Sequence, residues 1–439
     1  MTQLVADLDR LLGAPRADRA RWLLALFDGG AAGARPDEVS SRIGPFFPSP
    51  DRFLHIVRFW GGRMGPHEAV EARCDAEGVL SIVLRDEKGR PWTLRCWIGD
   101  APPFPLEYFS IARSLPPGVR VRLATEADAD ALASLERICP IERDDGSRVT
   151  LVRGKSVFDQ LRLADWSWLW LAEEDGVPVA CDMNAAHRAR VAGLDVDLVY
   201  RCHTRVAPSH RRLGLNETLG SILAEERFRR GIRADAVYVY VDPRNQVVRD
   251  WSPNRPWRTR PFRALLPCRD AAGPWVGRPA TRADAARVAA LLNAAHEREE
   301  LFFPYDAERL TTRLERAPER YGFGQLRLCD DAVVGIWEDG EQRILERGDA
   351  REESRRATVL DWGFAPGGLA SLERLLRAAC GELAGRGITQ LSVFASTASP
   401  AAPLLRTLAE SIVEIEFQCL LPEPSDSAER GVYVDPVYY

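Results

Sequence analysis

The feature that most constrains this chain is an internal repeat. The segment RLATEADADALASL at Arg122 to Leu135 returns 156 residues later as RPATRADAARVAAL at Arg278 to Leu291, sharing Arg, Ala, Thr, Ala, Asp, Ala, Ala and Leu. Both copies read as a short strand, a Thr N-cap with an acid in the first turn, and an apolar-periodic helix. Alanine content alone does not explain the common Arg-x-Ala-Thr start, so a unit of about 150 residues is duplicated. A chain of 439 residues has room for both copies and one further domain.

Within the first copy, WLWLAE at Trp168 to Glu173 and PVACDMNA at Pro178 to Ala185 flank an Asp175-Gly176 turn, which predicts a hairpin. A strand is expected at Asp197 to Val206, a helix at Glu217 to Arg230 and a strand at Ala236 to Val241. The second copy repeats the order: strands at Gln325 to Cys329, Val333 to Glu338 and Thr358 to Trp362, helix Leu369 to Arg386, strand Gln390 to Ala395, helix Ala402 to Glu410, and one strand Val413 to Leu421. The first 115 or so residues differ, with helical segments Thr2 to Leu12, Ala17 to Phe27 and Ser49 to Trp60 ahead of strands that include the hairpin Leu80 to Arg85 and Trp92 to Ile98. This order resembles the ketosteroid-isomerase-like cone, and SLPPGVR at Ser114 to Arg120 is the expected linker.

Composition narrows the function. The hydrophobic fraction of 46% and charged fraction of 28% are those of a globular protein, and no apolar run approaches the roughly 20 residues of a membrane span. Neither a signal peptide nor a membrane association is expected, which places the chain in the cytoplasm. Nine cysteines without a CxxC pair and six unclustered histidines predict reduced thiols and no metal site. A net charge of −5 gives no reason to expect nucleic-acid binding.

From Val206 the sequence runs VAPSHRRLGLNETLGSIL. A turn of this kind between a strand and a helix directs backbone N–H groups into a concavity at a helix N-terminus, where the dipole also favours anions. Gly214 permits close backbone approach, and Arg211 and Arg212 each offer a charge-assisted hydrogen bond of roughly 1.5 to 3 kcal/mol. The bland alternative is a basic surface turn.

Val206, Pro208, Arg211, Gly214 and Asn216 make the segment resemble the acyl-CoA signature of the GNAT superfamily, V-x-P followed by Arg/Gln-x-x-Gly-x-Gly/Ala. Asn216 departs from the pattern by standing where that family carries Gly or Ala. The resemblance implies a mixed α/β and α+β fold: two tandem GNAT-like lobes at 117–270 and 271–424, after an N-terminal domain at 1–116 and before a tail at 425–439. It also implies acetyl-CoA or another acyl-CoA as donor, held by Thr204, Val206, Arg211, Arg212, Leu213, Gly214, Leu215 and Asn216. Asn245 matches the family asparagine beside the pantetheine, whereas Ser252 stands where a tyrosine usually protonates the leaving thiolate.

An alkyl amine of pKa about 10.4 is neutral in only about one molecule in a thousand at neutral pH, so a base or water relay is wanted. The strand VDLVYRCHTRV offers His203 and Tyr200, with Tyr200, Cys202 and Thr204 expected on one face and Arg201, His203 and Arg205 on the other. A structural role for His203 is equally open. The second copy reads LDWGFAPGGLASLERLL, with no Arg or Gln at the cradle position.

The expected function is transfer of an acyl group from acyl-CoA, or from the pantetheine arm of an acyl carrier protein, to an amine of a small molecule or peptide. Two alternatives stand beside it: a non-catalytic acyl-CoA-binding sensor or partner-binding protein, and an enzyme housed in the N-terminal cone.

Overall fold

In the computed structural model the described residues are 2–47, 49–142, 146–153, 156–232, 234–241, 255–269, 276–338, 342–419 and 421–436. In chain order the elements begin α1 (Thr2–Leu12), α2 (Ala14–Phe27), α3 (Pro36–Ser40), α4 (Pro50–Met64), β1 (His67–Cys74), β2 (Leu80–Asp86), β3 (Pro91–Ile98), β4 (Leu106–Arg113) and β5 (Val119–Leu123). They continue α5 (Ala129–Arg137), β6 (Ile141–Glu142), β7 (Arg148–Val152), α6 (Ser156–Leu163), β8 (Trp166–Glu174), β9 (Val177–Val191), β10 (Leu194–Val206), α7 (Leu215–Arg229), β11 (Ala234–Val241), β12 (Arg255–Pro256) and β13 (Pro261–Pro267). The rest are β14 (Arg278–Pro279), α8 (Ala285–His296), α9 (Ala307–Glu315), β15 (Leu326–Leu328), β16 (Ala332–Trp337), β17 (Gln342–Arg347), β18 (Ala350–Phe364), α10 (Leu369–Ala384), β19 (Gln390–Ser396), α11 (Ala402–Leu408), β20 (Ser411–Glu414), β21 (Glu416–Cys419) and α12 (Ser427–Arg430). Among the described residues no helix is long and apolar enough to cross a membrane.

The two similar segments adopt the same local geometry. Thr125 and Thr281 are both N-caps at φ −124°, with ψ 168° and 169°. Their backbone N–H groups donate to Asp128 and Asp284 at 2.7 and 2.8 Å, closing the same capping box twice.

These elements pack as two compact units that do not follow chain order. The first comprises Met1–Arg122, Trp170–Asp182 and Val206–Ala236. Its antiparallel meander β1-β2-β3-β4 buries Leu80, Ile82, Leu84, Trp92 and Leu94 against Leu23, Phe27, Phe53 and Leu54 of α2 and α4. Within the same unit, β5, β8 and β9 are neighbours and share a core with α7 through Val119, Ala172, Val179, Ala180, Leu215 and Leu219.

Helix α7 is packed on two faces. Beyond its leucines, Phe228 stacks on Tyr108 with ring centroids 5.0 Å apart, and Glu225 accepts hydrogen bonds from Ser110 Oγ at 2.6 Å and Arg95 at 2.7 Å. Glu225, a charged residue, is therefore covered by β3 and β4, while Arg229 near the helix end remains exposed.

The second unit comprises Leu123–Leu169, Met183–Arg205 and Val237–Tyr439. One of its sheets runs β14-β15-β16-β18, with β18 pairing β19 in parallel from Arg356↔Gln390 to Thr358↔Ser392. Helices α8 and α10 flank it, and the core gathers Val334, Val359, Trp362, Leu372, Leu376, Leu391 and Val393.

Two strands pair far from their sequence neighbours. β13 lies between β19 and β20, in register Leu266↔Leu391 and Ala264↔Ile412. β21 instead joins β11, in register Val241↔Glu416 and Tyr238↔Cys419. The single strand expected at Val413 to Leu421 is accordingly broken at Ile415, which is fully buried and donates its N–H to the Pro261 carbonyl at 2.9 Å. The chain changes sheets at that residue.

Candidate functional site

The turn after β10 begins with Ala207 donating its N–H to Val179 at 2.8 Å, followed by one 3₁₀ turn at Pro208–His210. Arg211 is extended at φ −65°, ψ 151°, and both Arg211 and Arg212 are exposed. Arg212 and Gly214 take left-handed conformations at φ +67° and +86°. Gly214 is the N-cap of α7 and has no side chain to cap it, so the first N–H groups of the helix have no partner in the helix itself. The positive end of the helix dipole and two exposed guanidinium groups are the chemistry an acyl-CoA pyrophosphate requires.

Residues distant in sequence clamp this turn. Arg113 Nη1 donates to the Arg212 carbonyl at 2.8 Å across 99 positions. Thr218 Oγ1 donates to the Arg113 carbonyl at 2.7 Å, and Arg63 Nη2 pairs with buried Glu217 at 2.8 Å. None of these partners carries a local motif, so no sequence pattern could have found them. Leu215, named with the cradle, is 1% exposed and belongs to the core, leaving only its backbone for a ligand, whereas Leu213 is 43% exposed. Asn216 is half-buried at the helix start.

In the second unit, β10 departs from the expected alternation. His203 has φ +51°, which a regular strand does not tolerate, so strict sidedness from Tyr200 to Arg205 ends there. Tyr200 is buried at 4% exposure, while Thr204 and Val206 are half-buried. The His203 Nε2 lies 3.1 Å from Gln160 Oε1. Burial, and then the neighbouring charges of Arg153 and Arg205, push the His203 imidazolium pKa well below the usual range. In the fold His203 is therefore neutral at neutral pH, the form able to accept a proton but a weaker base. Asn245 and Ser252 lie outside the described residues.

The junction after β18 differs from the turn before α7. Gly367 also has φ +86°, but a β-carbon on Gly368 would stand 2.4 Å from the Asp331 carbonyl oxygen, and no basic side chain is present between Ala365 and Leu369. Past the end of the parallel β18–β19 pairing, the buried Trp362 indole donates to the Phe394 carbonyl at 3.0 Å. Among the described residues no group of three His, Cys, Asp or Glu side chains is placed to hold a metal ion.

No protein-family model matches this sequence, and no curated protein matches it either. Solved structures do match its fold. The N-myristoyltransferase of Saccharomyces cerevisiae with bound myristoyl-CoA superposes with a TM-score of 0.52 at 13% identity, over 77% of this chain and 92% of that one. A structure of the same enzyme with myristoyl-CoA and inhibitors gives 0.51 at 13% identity, over 77% and 87%. A GCN5-related N-acetyltransferase from Sphaerobacter thermophilus aligns at 17% identity over 71% of this chain and 98% of that one, with a TM-score of 0.43. The chain has the GNAT fold. Its likeness to N-myristoyltransferase extends over most of both chains.

Proposed function

We propose that this protein transfers an acyl group from acyl-CoA to an amine of a small molecule or peptide. The observation that carries the reading is the uncapped start of α7 behind exposed Arg211 and Arg212, in a fold shared with an enzyme crystallised with myristoyl-CoA. Arg211, Arg212 and the N–H groups from Gly214 to Asn216 hold the pyrophosphate, and Arg113 fixes the turn through the Arg212 carbonyl. Acyl-CoA, when bound, supplies a thioester whose thiol, of pKa near 8.5, leaves readily. Neutral His203, three positions before Val206 on the same strand, relays a proton from the attacking amine. The junction before α10, closed on Asp331 and lacking arginine, supports a scaffold role for the second copy.

Calorimetry with acetyl-CoA and longer acyl-CoAs, followed by thiol release with a panel of amines, tests the reading. Binding together with release in the presence of one class of amine is expected, and Arg211→Glu should abolish binding without changing the melting temperature. Undiminished affinity in that variant would overturn the assignment of the turn. Binding without release for every amine would identify a sensor instead.

A further inference from the structure

A cavity of about 310 Å³ lies within the second unit, bounded by β9, the segment 301–306, α9 and the chain near Tyr433. That volume sits at the lower end of the range of small-molecule sites. Two arginines on α9 dominate it. Arg313 is buried, and its Nη1 donates to Asp361 Oδ1 at 2.5 Å and to the Tyr305 hydroxyl at 2.9 Å. Its Nη2 is also buried but has no hydrogen-bond acceptor among the described residues, the carboxylate of Asp435 standing 3.6 Å away.

Arg309 forms no ion pair with a carboxylate among the described residues. Its Nη1 donates to the Phe303 and Pro304 carbonyls at 2.6 and 3.0 Å, and its guanidinium lies 4.2 Å above the Phe303 ring and 4.8 Å above that of Tyr305. The ring contacts hold the fork in place while leaving donors without an acid.

An i, i+4 spacing puts both guanidinium groups on one face of the helix. A buried donor left without a partner costs roughly 1 to 3 kcal/mol, so a site of this kind favours a ligand that brings an acceptor. Phe302 and Tyr433 add apolar wall, and Asp165 and Asp435 place negative charge in the same lining. Asp165 pairs with Arg316 at 2.7 Å and Asp435 stands beside Arg313, so carboxylates and guanidinium groups alternate along the lining and a zwitterion meets partners for both of its charges.

We propose that this cavity binds a free α-amino acid with an aromatic or large aliphatic side chain, its carboxylate held between Arg309 and Arg313. The site is independent of the acyl-transfer reading, because its occupancy is measured without acyl-CoA.

The test is calorimetry on the full chain with the common amino acids, 3-phenylpropionate and 2-phenylethylamine. Phenylalanine or another large apolar amino acid should bind, phenylpropionate more weakly, and phenylethylamine least. Arg309→Gln should lower amino-acid affinity tenfold or more, and Arg309→Lys should restore part of it, with neither changing the melting temperature of the unliganded protein. If Arg309→Gln is itself destabilised, the loss of amino-acid-induced thermal stabilisation relative to Arg309→Lys reads the same contact. Binding of no amino acid, phenylethylamine binding as tightly as phenylalanine, or undiminished affinity in Arg309→Gln would each overturn the proposal.

Discussion

The side chain of Arg113 occupies the place that a β-carbon on Gly214 would take, its Cδ, Cβ and Cγ standing 2.5, 2.6 and 3.0 Å from that point. Gly214 is therefore required twice, by its φ of +86° and by Arg113 packing against it. Either demand alone would make alanine costly there.

Gly214→Ala should destabilise the protein by about 1 to 3 kcal/mol from backbone strain, with a further loss from the clash. Replacing Arg113 with Gly in the same chain removes all three of those carbons, and with them the clash, and leaves the strain. Urea unfolding of the two single variants and the double variant should show a coupling above about 0.5 kcal/mol; additive losses would mean that the arginine does not press on the turn.

Because Arg211 and Arg212 are exposed, their attraction for a pyrophosphate is screened by salt. Acyl-CoA affinity should fall by about tenfold between about 0.05 and about 0.5 M salt, and the affinity of dephosphorylated pantetheine esters should not. Equal salt dependence of both ligands, read by calorimetry, would remove the electrostatic role of the turn.

His187 is buried beside the cavity, and burial, reinforced by Arg309 and Arg313 against the opposing Asp165, holds its pKa at about 4. The unfolded chain takes up a proton below its ordinary pKa of about 6.5, whereas the native state does so only near 4. Its contribution is present above about 6.5 and is lost as pH falls through that interval, amounting to about 3 kcal/mol. His203 acts in the same direction. Urea midpoints at pH 7.5 and 5 should converge in the His187→Asn, His203→Asn double variant relative to the parent.

Asp361 is 2% exposed and accepts from both Arg313 at 2.5 Å and the Tyr321 hydroxyl at 2.6 Å. Asp361→Ala leaves the buried Arg313 charge with the Tyr305 hydroxyl and, at 3.6 Å, the Asp435 carboxylate, and should cost about 3 to 5 kcal/mol. Asp361→Asn keeps a carbonyl acceptor and should cost less. Thermal unfolding that ranks the two the other way would contradict the pairing.

Features that depend on a few neighbouring residues were legible in the sequence. The Thr125 and Thr281 caps, the Asp175-Gly176 hairpin, and the strand, turn and helix around Arg211 follow from hydrogen bonds and dihedral preferences acting within about one turn of chain. Those same local rules mark the GNAT-like order of elements in both copies, and with it the expected donor site.

Other features depended on partners remote in the chain. Ile415 sits in the alternating stretch that reads as one strand from Val413 to Leu421, yet its burial against Pro261 sends β20 and β21 to different sheets. Nothing local marks Glu225 of α7 as buried, yet β3 and β4 cover it, and His203 looks like an ordinary histidine until burial removes its charge. Arg309 and Arg313 read as two more arginines on a polar helix. Local periodicity specifies which elements form, but strand partners, desolvation and unmatched buried donors are set by contacts between segments tens to hundreds of residues apart, and these only the tertiary structure decided.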